Sequence, residues 1–312
     1  MAGMRPRLPS LRRRRLALVV LGLIALAGLV QGWQTLRTAQ SLADMVTAPH
    51  RSIPGPNPQR LAPGHEDVAF ASRVDRLTLR GWLLHPAHPG GRSVVVVCGT
   101  ACDRGTNSPL ARDLVATGDD VLLYDPRGDG ESDGSHQTFG NLEQRDVLGA
   151  YDFMVGRGYA PAQMAFIGGS AGATTLLLAA PRMPAVAAIV SDSAYVSSGA
   201  QFTAFWRDAG VGRLTIWLAT RLTERDGADP DAQATTAVAA IPGRAILFIH
   251  AAGDPLIPAA DASVLRAAST NPRSELWITP ARTHDGSYPD DPSLYVQRVL
   301  GFIAGRIAER GG

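Results

Sequence analysis

The sequence predicts an α/β protein with a mostly parallel, eight-stranded sheet flanked by helices, on three observations. From about residue 66 onward, short apolar runs alternate with longer helix-compatible stretches, the pattern of strands joined by crossover helices. Two of those runs, Val94-Val95-Val96-Val97 and Ile246-Leu247-Phe248-Ile249, are apolar without interruption, as strands buried on both faces must be. Finally, 45% of the 312 residues are hydrophobic and 19% charged, which supplies a sizeable core and excludes wholesale disorder.

Taken in order, residues 68–72 and 77–84 read as an opening antiparallel pair and residues 93–98 as the next strand. A helix near 109–117 leads to a strand at 120–125, and a helix over 141–157 to a strand at 164–168. A helix at 171–180 and a strand at 186–192 come next, before residues 195–240 leave the sheet pattern. The pattern resumes with a strand at 245–251, a helix at 259–268, a strand at 275–279 and a closing helix at 294–309. The folded domain is expected over residues 66–312.

Ahead of it lies a different kind of chain. Residues 1–15 hold Arg5, Arg7 and Arg12 to Arg15 with no acid, and residues 16–30 are wholly apolar. Gln31, Gly32 and Trp33 extend the uncharged stretch over 16–33, close to the roughly 20 residues that span a bilayer core. A signal anchor and a cleaved signal peptide both fit; the absence of a small-x-small site just after Val30 favours the anchor. Arginines before the run predict a cytoplasmic N-terminus and an extracytoplasmic body. Residues 34–65, with Pro49, Pro54, Pro56, Pro58 and Pro63, read as a Pro-rich stalk.

Composition excludes several chemistries. The chain has 30 basic residues and all are arginine, so a Schiff-base, pyridoxal or Walker A lysine is ruled out. Beyond the N-terminus the charge is mildly acidic without a basic stripe, which argues against nucleic acid as a partner. No His-Glu-x-x-His motif or Cys/His cluster is present; neither a metal nor another cofactor is expected.

The chemistry concentrates at strand ends. Met164-Ala165-Phe166-Ile167-Gly168 runs into Gly169-Ser170-Ala171-Gly172-Ala173, a strand, tight turn and helix with G-x-S-x-G across the turn. Small residues at 168 and 172 let strand and helix close around a strained residue, exposing the Ser170 hydroxyl at a helix N-terminus. Ser170 is therefore the candidate nucleophile, against the plainer reading of a helix-capping serine.

Such a hydroxyl needs a base, and the base a carboxylate to orient it. Asp254 lies in the turn after the apolar strand at 245–251, and of seven histidines only His284 lies beyond it, in the loop after the strand at 275–279. Asp192, ending the strand at 186–192, is the alternative acid.

With Leu79-Arg80-Gly81-Trp82-Leu83-Leu84 and the turn Asp125-Pro126-Arg127-Gly128-Asp129-Gly130-Glu131-Ser132, these motifs resemble the α/β-hydrolase superfamily. Within it the chain is most similar to membrane-anchored serine hydrolases, with the S9/S33 peptidase-like group close by. The resemblance covers residues 66–310 and implies the α/β-hydrolase fold, a Ser170-Asp254-His284 triad and a small-molecule or lipid-like acyl substrate, an ester first and a thioester or amide next. It also implies an oxyanion hole in the loop after the third strand, where family members carry His-Gly and this chain has Cys98-Gly99-Thr100. Backbone amides of Thr100 and Ala171 are the expected donors. Each such donor contributes about 2.7 to 4 kcal/mol to the transition state, so the departure also supports a non-catalytic binding module on the same fold.

Two further features stay open. Cys98 and Cys102, the two cysteines, are either joined beside this hole or free as one buried and one loop thiol. Residues 195–240 carry Phe202, Phe205, Trp206, Leu214, Ile216, Trp217 and Leu222 at helical spacing, as a short lid over Ser170 or as plain packing on the sheet.

Overall fold

The computed structural model describes residues 11–241 and 243–311. Arg5 and Arg7 of the basic N-terminus lie outside them. The first element, α1 (Leu11–Thr47), takes in the whole apolar run. It is long and apolar enough to cross a membrane, and none of its apolar window is buried.

β1 (Gly64–Ala71) and β2 (Thr78–His85) form the opening antiparallel pair. β3 (Ser93–Val97), α2 (Ser108–Ala116), β4 (Asp120–Tyr124), α3 (Gln144–Gly156), β5 (Met164–Gly169), α4 (Ser170–Ala179) and β6 (Ala188–Asp192) follow in alternation. Three helices, α5 (Ser198–Asp208), α6 (Arg213–Arg225) and α7 (Ala234–Ala239), occupy the insert. β7 (Ile246–Ala251), α8 (Ala260–Ala268), β8 (Glu275–Thr279), a single turn α9 (Ser287–Asp290) and α10 (Pro292–Gly311) complete the chain.

The eight strands form one sheet in the order β1-β2-β4-β3-β5-β6-β7-β8. β2 pairs antiparallel with β1 and β4, and every other pair is parallel. Because strand side chains alternate, each central strand feeds two cores. Val95, Phe166 and Phe248 pack with Leu148, Leu176 and Leu265 on one face. On the other, Val94, Ile167 and Leu247 pack with Leu114, Val299 and Phe302. The parallel strands end together, so the loops after β3, β5, β6, β7 and β8 share one edge.

The turn after β4 is a structural knot. Asp125 accepts hydrogen bonds from the amides of Arg104 and Glu131 at 2.7 and 2.9 Å and pairs with the Arg104 guanidinium. Arg127 is buried between Asp146 and Asp75, at 2.7 and 2.8 Å. The Ser132 hydroxyl donates to the Asp125 carbonyl and accepts from the Arg80 amide. This motif braces the sheet edge; its charges are consumed in doing so.

Residues 34–65 are not built as the stalk the prolines suggested. α1 runs on to Thr47, and the first proline comes only at Pro49. Ala39, Leu42, Ala43 and Val46 recur at i, i+3, i+4 and i+7, the face of an amphipathic helix, and Ala39 and Leu42 pack against Ile216 and Ala219 of α6. The stretch beyond lies along the domain. The His50 amide donates to Asp129 at 3.2 Å, Arg51 donates to the carbonyls of Ser132 and Gly134, and Ser52 donates to Asp103.

Candidate active site

Ser170 sits at the junction of β5 and α4 with φ +52°, a left-handed conformation that costs a non-glycine residue of order 1–3 kcal/mol. The surroundings enforce it. A Cβ at Gly168 would stand 2.8 Å from the Ala173 Cα, and one at Gly172 would stand 2.5 Å from the Val97 carbonyl oxygen and press on that of Cys98. Only hydrogen at these two positions lets β3, β5 and α4 approach so closely.

The loop after β8 carries His284 to this serine. Its Nε2 lies 2.7 Å from Ser170 Oγ and its Nδ1 2.8 Å from Asp254 Oδ2. A carboxylate only accepts, so Nδ1 carries the proton, leaving the Nε2 lone pair facing the serine hydroxyl. The other oxygen of Asp254 accepts from the amides of Leu256 and Ile257, at 2.8 and 3.0 Å. Burial works to raise this carboxyl, but the Ile257 amide, the His284 ring and the Leu256 amide together hold it below its usual range.

Two residues not singled out in the sequence shape this corner. His250, buried in β7, donates from Nε2 to the Ile257 carbonyl at 3.0 Å and lies 3.4 Å from Asp254 Oδ2; it pins the turn that holds the acid. Asp285 directly follows His284, with φ +52° and a carboxylate oxygen 3.8 Å from Nε2. A polar residue ending an apolar strand was the only signal for His250, and Asp285 had none beyond adjacency.

Asp192 is held elsewhere. Buried at the end of β6, it accepts from the hydroxyls of Ser193 and Ser287 at 3.0 and 3.3 Å, and burial pushes it up to about 7. The nitrogen of His284 that an orienting acid would use is occupied by Asp254. As an alternative partner for the imidazole, Asp192 is therefore displaced by geometry.

Thr100, Ser170 and Ala171 line one cleft of about 390 Å³. Ala171 is the second residue of α4, where helix amides have no intrahelical acceptor. The Thr100 amide enters no backbone hydrogen bond among the described residues. Cys98 and Cys102 are joined as a disulfide, which closes the loop carrying Thr100; the free-thiol alternative is set aside.

The cleft's apolar wall comes from α5, through Phe202, Phe205 and Trp206, with Tyr195 beside them. α6 does not reach it. Ile216 and Leu222 pack against α1, while Leu214 and Trp217 point outward. α1 contributes Val46 instead, a contact hidden from a reading that treated residues 34–65 as a spacer. Among the described residues no three His, Cys, Asp or Glu side chains are arranged to hold a metal ion.

A family model described as "Serine aminopeptidase, S33" matches residues 89–237. An uncharacterized protein of Mycobacterium tuberculosis is 30% identical over 251 residues, spanning 79% of this chain and 80% of its own. The uncharacterized protein YfhR of Salmonella typhimurium is 26% identical over 273 residues, covering 82% and 85%. Among solved structures, the esterase Pf2001 of Pyrococcus furiosus superposes with a TM-score of 0.69 at 20% identity, over 83% of this chain and 99% of that one. Est1E of Butyrivibrio proteoclasticus, with bound ferulic acid, gives 0.60 at 17% identity, over 77% and 100%. At such identities these structures speak for the fold alone.

Proposed function

The chain belongs to the α/β-hydrolase superfamily, and on that premise we propose that it is a membrane-anchored serine hydrolase cleaving carboxylic esters through an acyl-enzyme on Ser170. The observation that carries the reading is the unbroken pair of hydrogen bonds from Ser170 Oγ through His284 to Asp254, at 2.7 and 2.8 Å. α1 is the anchor, and the arginines preceding its apolar run put the body on the extracytoplasmic side. The ester is preferred because the fold neighbour Pf2001 is described as an esterase.

In this reading Ser170 Oγ bonds to the ester carbonyl carbon as its proton passes to His284 Nε2, and Asp254 balances the imidazolium. The carbonyl oxygen takes up the negative charge, facing the amides of Thr100 and Ala171. The intermediate expels the alkoxide, which leaves as the alcohol with the proton from His284. A water then gives a proton to His284 and attacks the acyl carbon. The second collapse returns that proton to Ser170 and releases the carboxylic acid.

One observation favours amide cleavage as a second reading: the matching family model is described as a serine aminopeptidase. Asp285, beside His284 in the cleft, is the carboxylate available to a substrate ammonium group. Nitrophenyl esters compared with aminoacyl nitroanilides separate the two readings. The test of both is labelling by a fluorophosphonate. Labelling of the wild type that vanishes in Ser170→Ala is expected; an unlabelled wild type overturns the hydrolase and leaves the binding-module reading.

A further inference from the structure

α1 and α6 run parallel. Ala39 and Leu42 share a core cluster with Ile216 and Ala219, and the Thr47 hydroxyl donates to Asp226 at 3.3 Å. At the other end Thr215 borders a groove with Trp33, Arg37 and Thr38. α6 therefore begins about level with Trp33, just past the apolar run, and the loop joining it to α5 starts from that level.

The outward face of α6 sets two large apolar side chains among Arg213, Arg221 and Arg225. Leu214 and Trp217 are 63% and 54% exposed, and the Arg221 guanidinium lies over the Trp217 ring at 5.8 Å. α1 repeats the arrangement beside it: Trp33 is 59% exposed and the Arg37 guanidinium lies 5.1 Å above its ring. Two neighbouring helices thus each present a tryptophan with an arginine one turn further from the apolar run. Tryptophan favours the headgroup level of a bilayer, and arginine pairs with phosphate.

We infer that the tip of the α5–α6 hairpin and the outer face of α6 form a second membrane contact, in which Leu214 and Trp217 enter the headgroup layer beside Trp33. The occupant is the phospholipid bilayer that α1 enters, and continuity with α1 sets the depth. The inference rests on the reading of α1 as an anchor and deepens that of the ester substrate. The cleft wall is built from Val46 of α1 and from Phe205 and Trp206 of α5, the two helices that lead to this surface. With a helical rise of 1.5 Å per residue, Val46 stands about 20 Å above Trp33, within the length of an extended long acyl chain. The substrate class is a long-chain acyl ester resident in the membrane.

The test uses the full-length protein in vesicles of phosphatidylcholine and phosphatidylglycerol. Trp217→Cys carries a fluorophore, the two native cysteines being paired, and Val74→Cys, an exposed position in the turn between β1 and β2, carries the same one. Quenching at position 217 by lipids with a headgroup-level nitroxide, together with shielding from aqueous iodide, is expected; position 74 responds to iodide alone. Iodide quenching at 217 without lipid quenching overturns the inference, as does shielding from both, which marks a second protein copy on this face. The double variant Leu214→Asp/Trp217→Asp is expected to lose about tenfold in hydrolysis of a diacylglycerol embedded in the vesicles, while soluble nitrophenyl acetate and fluorophosphonate react as in the wild type. Equal loss on both substrates marks a folding defect, and the quenching result then decides. A protein that never labels at Ser170 sinks the hydrolase reading but leaves the quenching result standing.

Discussion

Asp254 divides its two oxygens between tasks: Oδ2 lies 2.8 Å from His284 Nδ1, while Oδ1 accepts from the amides of Leu256 and Ile257. The backbone thereby fixes the carboxylate before the imidazole meets it. Asp254→Asn keeps the shape but removes the acceptor that selects the tautomer, and kcat is expected to fall by about 10⁴. Asp192→Asn is expected to leave kcat close to the wild type. Ester hydrolysis by the two purified variants checks the assignment, and the opposite ranking would reassign the acid.

Gly172→Ala is expected to be disruptive despite its small size. The added methyl would stand 2.5 Å from the Val97 carbonyl oxygen, so β3 and α4 must separate. Overpacking of this kind costs about 1–3 kcal/mol. Urea unfolding reads that loss, and fluorophosphonate labelling should fall with it because Ser170 loses its enforced conformation.

The Cys98–Cys102 disulfide encloses the loop that leads to Thr100. By the loop-closure relation so short a ring stabilises by about 2 kcal/mol. If the Thr100 amide is the oxyanion donor proposed above, the double variant Cys98→Ser/Cys102→Ser is expected to lower kcat while leaving KM near its starting value, because a loosened donor is felt in the transition state. Steady-state kinetics, with and without reductant on the wild type, check it; identical kcat values would remove the disulfide from the mechanism.

Asp129 ties the same loop to the segment that follows α1. It accepts from the Cys102 amide at 3.3 Å and the His50 amide at 3.2 Å. Burial pushes it up to about 7, against the pull of those bonds and of Gln137. The folded state therefore binds this proton more tightly than the unfolded chain. The resulting stabilisation is full below the ordinary carboxylate range and is lost as pH rises through about 7. Asp129→Asn is expected to flatten the decline in stability between about pH 4 and 7 by up to about 1 kcal/mol per pH unit. Urea midpoints at about pH 5 and pH 8 measure it; an unchanged slope refutes the assignment.

Much of this architecture was legible because the relevant signals are local. Val94 to Val97 and Ile246 to Ile249 read as buried strands since nothing polar interrupts them, and Gly168 and Gly172 announced the turn around Ser170 through their spacing. Asp254 and His284 followed from chain order and from loops sharing one sheet edge. Residues 34–47 were harder. Ala39, Ala43 and Thr47 are small, and the prolines just beyond drew the reading toward a spacer, although the face they form with Leu42 has helical period. His250, Asp285 and Val46 acquire their neighbours only when separate loops and helices meet, and no periodicity within one segment records such a meeting.

α1 has no hinge between its apolar run and its seat against α6. A tether of loose chain would let the catalytic body swivel and sample solution on all sides. With α1 as the anchor proposed above, a rigid mast allows neither, and the body would travel laterally with its cleft at one height and one bearing. Turnover by the proposed hydrolase would then follow how many esters occupy each unit of membrane area, rather than how many are dissolved in the volume outside.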